Sequence, residues 1–135
     1  MKFKSKAQTL IDLYNKVSSG TVLPVFSVSA ALSNDAILSE IDNGPQWLSE
    51  TIIVRSSSHL EDSADSSLAG HFTSVPGVKG SVATESAITT VRESLQPVDE
   101  NDLIFFQPFL SDALRSGVVF TRDPSTGSPY YIINY

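Results

Sequence analysis

The chain has 135 residues, of which 41% are hydrophobic and 18% charged, a composition that supports a folded domain and excludes wholesale disorder. Nine basic and fifteen acidic side chains give a net charge of −6, the opposite sign to that of a general nucleic-acid binder. Because there is no cysteine, disulfides, cysteine zinc sites and a thiol nucleophile are excluded. The longest apolar runs have four residues, too few for a membrane span, and no signal peptide is evident. We therefore expect a soluble, cytoplasmic domain without nucleic-acid or membrane partners.

The first half of the chain alternates predicted helices and strands. Ser5 with Gln8 forms a capping-box signature for a helix whose apolar spacing continues toward Gly20. Residues 21–29 are typical of a strand that Pro24 restricts to a sheet edge. The following patterns predict a helix over 35–41, a buried β-branched strand over 51–54, a serine-rich loop over 55–70 and a strand over 71–75.

The second half is richer in strands. Thr84 can cap a helix that continues to Leu95, and an apolar strand with Pro108 inside it is predicted over 103–110. Strands over 118–121 and 130–135 flank a turn at 123–127. We therefore expect an α+β fold in which helices flank a mixed sheet. Since the chain stops at Tyr135 within an apolar strand, we also expect a domain truncated at its C-terminus.

Arg55 is the first candidate for chemistry, because it stands at a strand end and is followed by three serines. A guanidinium together with several hydroxyl and amide donors can bind a phosphate. The loop closes at Gly70, where a glycine allows the backbone to approach a ligand. A solvated, serine-rich surface loop is the commoner explanation of the same composition.

Other polar residues offer weaker indications. Lys6, near the start of the first predicted helix, can reach an anion held at that helix N-terminus, although a solvated lysine is the commoner case. Three carboxylates, Glu61, Asp62 and Asp65, suit magnesium but also keep a loop in solution. The two histidines have no readable serine and aspartate constellation around them. We assign no catalytic residue and no metal ligand.

Gln107 ends an apolar strand and is followed by Pro108, Phe109 and Leu110. Backbone beside a proline is free to hydrogen-bond a planar ligand, because a proline cannot donate. The side chains of Phe109 or Leu110 can cover the face of such a ligand. Packing into the core is the alternative for each of these residues.

The order of these motifs resembles one known family. Residues 53–57, 61–63 and 67–70 carry IVRSS, EDS and SLAG, similar to the signature V-R-S-S-x-x-x-E-D-x-x-x-x-S-F-A-G of the nucleotide-binding domain of the phosphoenolpyruvate synthase and pyruvate phosphate dikinase family. Gln107 followed by SGVVFTRDPSTG at 116–127 resembles the family's V-Q-x-M-V and S-G-V-x-F-T-x-N-P-x-T-G. Residues 5–10 and 22–26 are similar to the family's opening G-G-K-G-A-x-L and V-P-x-G-F. The resemblance spans nearly the whole chain, so residues 1–135 are predicted to form part of one such ATP-binding domain.

The resemblance implies an ATP-grasp fold, in which two α+β lobes hold ATP between them. Members transfer the β-phosphoryl group of ATP to a mobile histidine domain, which passes it to pyruvate or, in relatives, to a sugar or an antibiotic. Lys6 and Arg55 would contact the ATP phosphates, and Gly70 would lie in a loop over them, with Thr73 or Ser74 as further contacts. The adenine would be received by Gln107 and the backbone of Phe109 and Leu110.

The chain departs from the family pattern in ways that limit the predicted activity. The stretch that supplies the metal-binding carboxylate is not among these residues, nor are the histidine phosphocarrier and pyruvate-binding domains. Magnesium is thus expected to act only in the full-length enzyme. We expect an N-terminal ATP-binding fragment of a phosphoenolpyruvate synthase-like phosphotransferase, inactive by itself. The alternatives are a non-catalytic interaction or regulatory module on the same scaffold, and a relative that phosphorylates an antibiotic or a sugar.

Overall fold

The computed structural model describes residues 4–58 and 73–135. Those residues form an α+β fold with two antiparallel sheets, which confirms the predicted class. The helices are α1 (Lys6–Leu13), α2 (Asn34–Asp42) and α3 (Ser81–Glu93), with a 3-10 turn at Gln46–Ser49. The strands are β1 (Phe26–Ser29), β2 (Ile52–Ser57), β3 (Ser74–Val78), β4 (Leu103–Pro108), β5 (Val118–Phe120) and β6 (Ile132–Asn134). No helix in the described ranges is long and apolar enough to cross a membrane.

The larger sheet has four strands in the order β1-β4-β2-β3. Every pairing between its strands is antiparallel, so the predicted mixed sheet is wrong for the described residues. β1 lies at an edge, as Pro24 predicted, and β3 tolerates Pro76 and Gly77 because it forms the opposite edge. The β-branched residues of β2 form an interior strand, as their apolar run predicted.

One face of this sheet carries the core. Val28, Val54, Ile104 and Phe106 project from it and are buried. The helices α2 and α3 cover this face with Ile37, Ala87, Ile88 and Val91, and Leu48 of the 3-10 turn joins the same cluster. The burial of this cluster stabilises the domain, because apolar area removed from water contributes about 25 cal/mol per Å².

Two predicted helix boundaries are corrected by the structure. Ser5 caps α1 as predicted, its side chain accepting a hydrogen bond from the Gln8 amide, but α1 ends at Leu13 rather than near Gly20. The helix α3 begins at Ser81, three residues before the predicted cap. Thr84 instead donates its hydroxyl to the Gly80 carbonyl, because a threonine inside the first turn can bond back to the preceding turn.

The C-terminal hairpin, β5 with β6, forms the second sheet. The predicted turn before β6 is present: Asp123 accepts hydrogen bonds from the amides of Ser125 and Thr126. The Gly127 amide donates to the Asp123 carbonyl, and Gly127 has a positive φ of 69°, which a glycine adopts without strain. Both predicted C-terminal strands are therefore confirmed, although each is shorter than its apolar run.

Candidate functional site

The second face of the four-stranded sheet carries the polar residues. Successive residues of a strand point to opposite faces, so Arg55 and Ser57 lie opposite the core residue Val54. Arg55 is aligned with Phe105 on β4 and with Ser74 on β3. The side chains of Phe105, Arg55 and Ser74 therefore form a row across three strands, and Arg55 is the cation at its centre.

Arg55 is held in place by its neighbours on β4. Its guanidinium carbon lies 5.4 Å from the centroid of the Phe105 ring, within the range of a cation–π contact. Its terminal Nη1 donates to the Gln107 side-chain oxygen over 3.4 Å. Phe105 and Gln107 are both buried, so the position of the guanidinium is fixed by side chains that have little freedom to move.

The Nε of Arg55 is buried and has no hydrogen-bond partner among the described residues. A buried donor without an acceptor costs about 1–3 kcal/mol, and such atoms in native proteins call for an explanation. Ion pairs among the described residues join Lys4 to Asp12 and Lys79 to Glu50, and neither involves Arg55. A guanidinium in this state can donate a hydrogen bond to an anionic oxygen, which would be the missing acceptor.

The N-terminus of α1 lies beside this face. The Ala7 amide donates to the Ser57 hydroxyl over 3.0 Å, and both residues are buried. Because Ser57 is two residues from Arg55 on the same face of β2, the first turn of α1, which includes Lys6, lies further along β2 on that side of the sheet. The contacts of Lys6 and Arg55 with ATP phosphates stay predictions.

A surface ion pair joins Lys4, which precedes α1, to Asp12 in the last turn of that helix. Lys4 and Gln8 both donate to Asp12, which holds the pKa of that carboxyl below its usual range. The Asp12 side chain therefore stays ionised and paired under ordinary conditions, and this links residue 4 to the helix that follows it.

Two predicted phosphate contacts come from the loop and strand after β2. Ser74 is exposed and aligned with Arg55 on the neighbouring strand; its contact with phosphate stays a prediction. The Thr73 carbonyl accepts hydrogen bonds from the amide and the hydroxyl of Ser56, which ties the start of β3 to β2. Gly70 lies outside the described residues, as do Glu61 and Asp62.

The predicted adenine segment follows β4. The Phe109 amide donates to the Thr51 carbonyl over 3.0 Å, so that amide already has a partner within the protein. The side chain of Phe109 is half-buried and that of Leu110 is exposed. Gln107 is buried against Arg55, and its side-chain oxygen accepts a hydrogen bond from the guanidinium. The groups left to receive a base are the Phe109 ring, the Leu110 side chain and their backbone carbonyls.

The candidate groups follow one line along β4. The start of α1 comes first, beside Ser57, then Arg55 beside Phe105, and then Phe109 beyond the strand end. Phe109 is four residues beyond Phe105, which corresponds to about 13 Å of extended strand. Cationic groups therefore lie at one end and apolar groups at the other, an arrangement suited to a molecule with a charged tail and a flat apolar head.

Sequence reasoning missed two residues that shape this site. The sequence pattern identifies Phe105 only as part of an apolar strand, and Ser57 only as one serine of a run. Phe105 and Arg55 lie on the same face of the sheet because they are aligned in the register of β2 against β4. Strand alternation alone does not predict this, since the register must be known first. Ser57 gave no signal, because its partner Ala7 is fifty residues away.

A separate cleft of about 390 Å³ lies at the helical layer. Leu38, Ile41, Leu48, Gly80 and Thr84 contribute to its walls. These residues belong to α2, the 3-10 turn and the start of α3, on the core side of the sheet. It includes none of the predicted site residues, so the row around Arg55 and this cleft are distinct surfaces.

In the described part of the chain, no group of three or more histidine or carboxylate side chains is arranged to hold a metal ion. Comparison of the chain with protein-family models, with curated proteins and with solved structures gave no match. The assignment of a function therefore depends on the residues and geometry given above.

Proposed function

We propose that this chain is the N-terminal ATP-binding part of a phosphoenolpyruvate synthase-like phosphotransferase, and that Arg55 contacts the phosphates of ATP. The observation that carries the proposal is the Nε of Arg55, a buried donor without a partner among residues 4–58 and 73–135, on a guanidinium that lies over the Phe105 ring. A phosphate oxygen would supply the acceptor that Nε lacks, and guanidinium groups bind phosphate through parallel N–H donors.

The neighbours of Arg55 support the same assignment. Ser74 on β3 is aligned with Arg55, and Lys6 precedes Ala7, whose amide donates to Ser57 on the same face of β2. Both residue types are common phosphate contacts. Phe109 and Leu110, at the far end of the line, provide apolar cover for adenine. Bound in this way, ATP would supply the phosphoryl group in the full enzyme, whereas the residues described here bind and orient it.

The fold assignment belongs to the same proposal. An α+β unit with helices on one face of an antiparallel sheet is compatible with one lobe of an ATP-grasp domain. Magnesium, the phosphocarrier histidine and the pyruvate site would come from other parts of the full enzyme. We accordingly expect residues 1–135 alone to bind ATP without converting it to AMP, in a cytoplasmic setting.

The test is calorimetric titration of the chain with ATP, with and without magnesium. We expect Arg55→Ala to weaken ATP binding by about tenfold to a hundredfold, because hydrogen bonds to charged groups contribute about 1.5–3 kcal/mol. Arg115→Ala is the matched control, since it removes the same charge from an exposed position outside the row. Equal affinities for the wild-type chain and Arg55→Ala would contradict the proposal.

Tripolyphosphate separates the two ends of the site. Arg55→Ala should weaken the binding of both ATP and tripolyphosphate, because it removes a phosphate contact. Leu110→Ala should weaken the binding of ATP only, because it removes cover from the base. A loss of tripolyphosphate binding in Leu110→Ala would show that the predicted orientation of the nucleotide is wrong.

One observation favours a second candidate, a non-catalytic interaction module on the same scaffold. The Phe109 amide is already bonded to Thr51, which removes one of the backbone donors that a base would use. This candidate predicts that Arg55→Ala preserves the biological activity of the chain. Loss of that activity together with loss of ATP binding would exclude it.

A further inference from the structure

The hairpin of β5 and β6 has two open edges. Among the described residues no third strand pairs with either of them. A two-stranded sheet by itself is marginally stable in water, and its unpaired amides and carbonyls are a template for another strand. The edge of β6 is therefore a surface on which a further strand can be added.

The edge of β6 lacks the features that usually prevent such pairing. Residues 128–135 contain no charged side chain, and the only proline among them, Pro129, precedes the strand. Exposed edges are normally protected by lysine, by a proline within the strand or by a bulge. The register of β5 against β6 is regular over its three aligned pairs, so no bulge turns this edge away.

Charge also favours pairing at this end of the molecule. Residues 103–135 contain Asp112, Asp123, Arg115 and Arg122, two charges of each sign. The net charge of −6 therefore resides entirely in residues 1–102. Two copies that meet through their hairpins bring together segments without net charge, so like-charge repulsion at the contact is small.

One face of the segment around β6 carries residues that are symmetric about Ile133. Tyr131, Ile133 and Tyr135 alternate along one face and are 75%, 62% and 93% exposed. Val119 of β5 is aligned with Ile133 and is exposed as well. When two such strands are laid antiparallel about Ile133, Tyr131 falls opposite Tyr135 of the second copy, and Ile133 falls opposite itself.

We infer that the partner of β6 is a second copy of this chain, paired antiparallel through β6 with its twofold axis at Ile133. The two hairpins then form one four-stranded sheet, β5-β6-β6-β5. Its face carries two tyrosine pairs around a central isoleucine pair, and cross-strand aromatic and β-branched pairs are stabilising. An isologous contact of this kind closes on itself and yields a dimer.

Cysteine cross-linking tests the register directly, because the chain has no cysteine of its own. Residues directly opposite in an antiparallel pair have Cα atoms about 4.5–5.5 Å apart, within the range that a disulfide spans. We expect Ile133→Cys to give a covalent dimer under mild oxidation. The control is Val82→Cys, at a position on α3 that is 82% exposed, which should cross-link at least tenfold more slowly.

Charge reversal tests the same pair without a covalent bond. Ile133→Lys and Ile133→Glu should each be monomeric in sedimentation experiments, because each places two like charges opposite one another. An equimolar mixture of the two variants should restore the dimer, since Lys then faces Glu. Circular dichroism checks that each variant keeps its helices.

Three results would overturn the inference. They are a wild-type chain that stays monomeric up to millimolar concentration, equal cross-linking rates for the two cysteine variants, and a mixture of charged variants that stays monomeric. A wild-type chain that is monomeric by itself but binds another protein through β6 would assign the edge to a different partner. None of these readouts involves ATP, so they are independent of the proposed function.

Discussion

The two sheets of this protein have similar strand sequences and very different burial. Ile104, Phe105 and Phe106 of β4 are completely buried, whereas Val118, Val119 and Phe120 of β5 are between 39% and 59% exposed. The helices α2 and α3 cover one face of the larger sheet. An apolar strand therefore gains stability from what packs on it, and its composition alone does not determine its burial.

Truncating one phenylalanine in each sheet should give the largest difference in stability between the two sheets. We expect Phe106→Ala to lower the free energy of unfolding by about 3–5 kcal/mol, because it leaves a cavity in the core. Phe120→Ala, on the hairpin, should cost about 1 kcal/mol or less. Urea unfolding of both variants provides the measurement, and equal losses would mean that the hairpin contributes to the same cooperative core.

The next largest effect is expected at Arg92, which joins α3 to the segment after β1. Its guanidinium donates to the carbonyls of Ala30 and Leu32 and to the side chain of Asn34. We expect Arg92→Ala to lower the free energy of unfolding by about 2 kcal/mol. Thermal unfolding monitored by circular dichroism is the measurement.

Two further variants control the Arg92 experiment. Arg92→Lys should recover little of the lost stability, because an ammonium cannot reproduce the planar fork of donors. Arg122→Ala removes a single bond to the Gly127 carbonyl on the exposed hairpin, so its effect should stay within about 0.5 kcal/mol. Full recovery in Arg92→Lys would indicate that charge alone, and not the hydrogen-bond pattern, matters at this site.

The smallest effect on global stability is expected from Gly117→Ala. A Cβ at this position would lie 2.4 Å from the Asn134 carbonyl oxygen, so the two ends of the hairpin must separate. We expect hydrogen-exchange protection in β5 and β6 to fall by about tenfold to a hundredfold, the effect of overpacking by about 1–3 kcal/mol. Protection in β2 and β4 should be unchanged.

Gly20→Ala is the control for this substitution, because no atom lies within 4 Å of a Cβ placed there. It should leave the exchange rates of both sheets unchanged. Loss of protection in the larger sheet of Gly117→Ala would show that the two sheets unfold together.

The sequence predicted those elements well whose structure depends on residues that are close together in the chain. The cap at Ser5, the helix close to residues 35–41, the edge position of β1 and the turn at Asp123 all depend on residues within a few positions of one another. The class α+β followed from the mixture of such elements. Compartment, ATP binding and the family assignment stay predictions.

The failures have a different physical origin. The sheet was expected to be mixed, but strand direction depends on which strands meet, and β2 meets β4 some fifty residues further along the chain. The contact of Arg55 with Phe105 and the bond between Ala7 and Ser57 arise from the same long-range register. No periodicity in the sequence specifies that register, so the environment of the site could not be predicted from it.

The order of strands in the larger sheet also has a consequence for folding. Among the described strands β1 pairs only with β4, and Phe26 is aligned with Phe106 far along the chain. During synthesis β1 therefore has no partner until β4 has left the ribosome. A sheet dominated by such distant pairings has a high contact order, which slows folding, and we expect chaperones that shield apolar strands to act while the chain is being made.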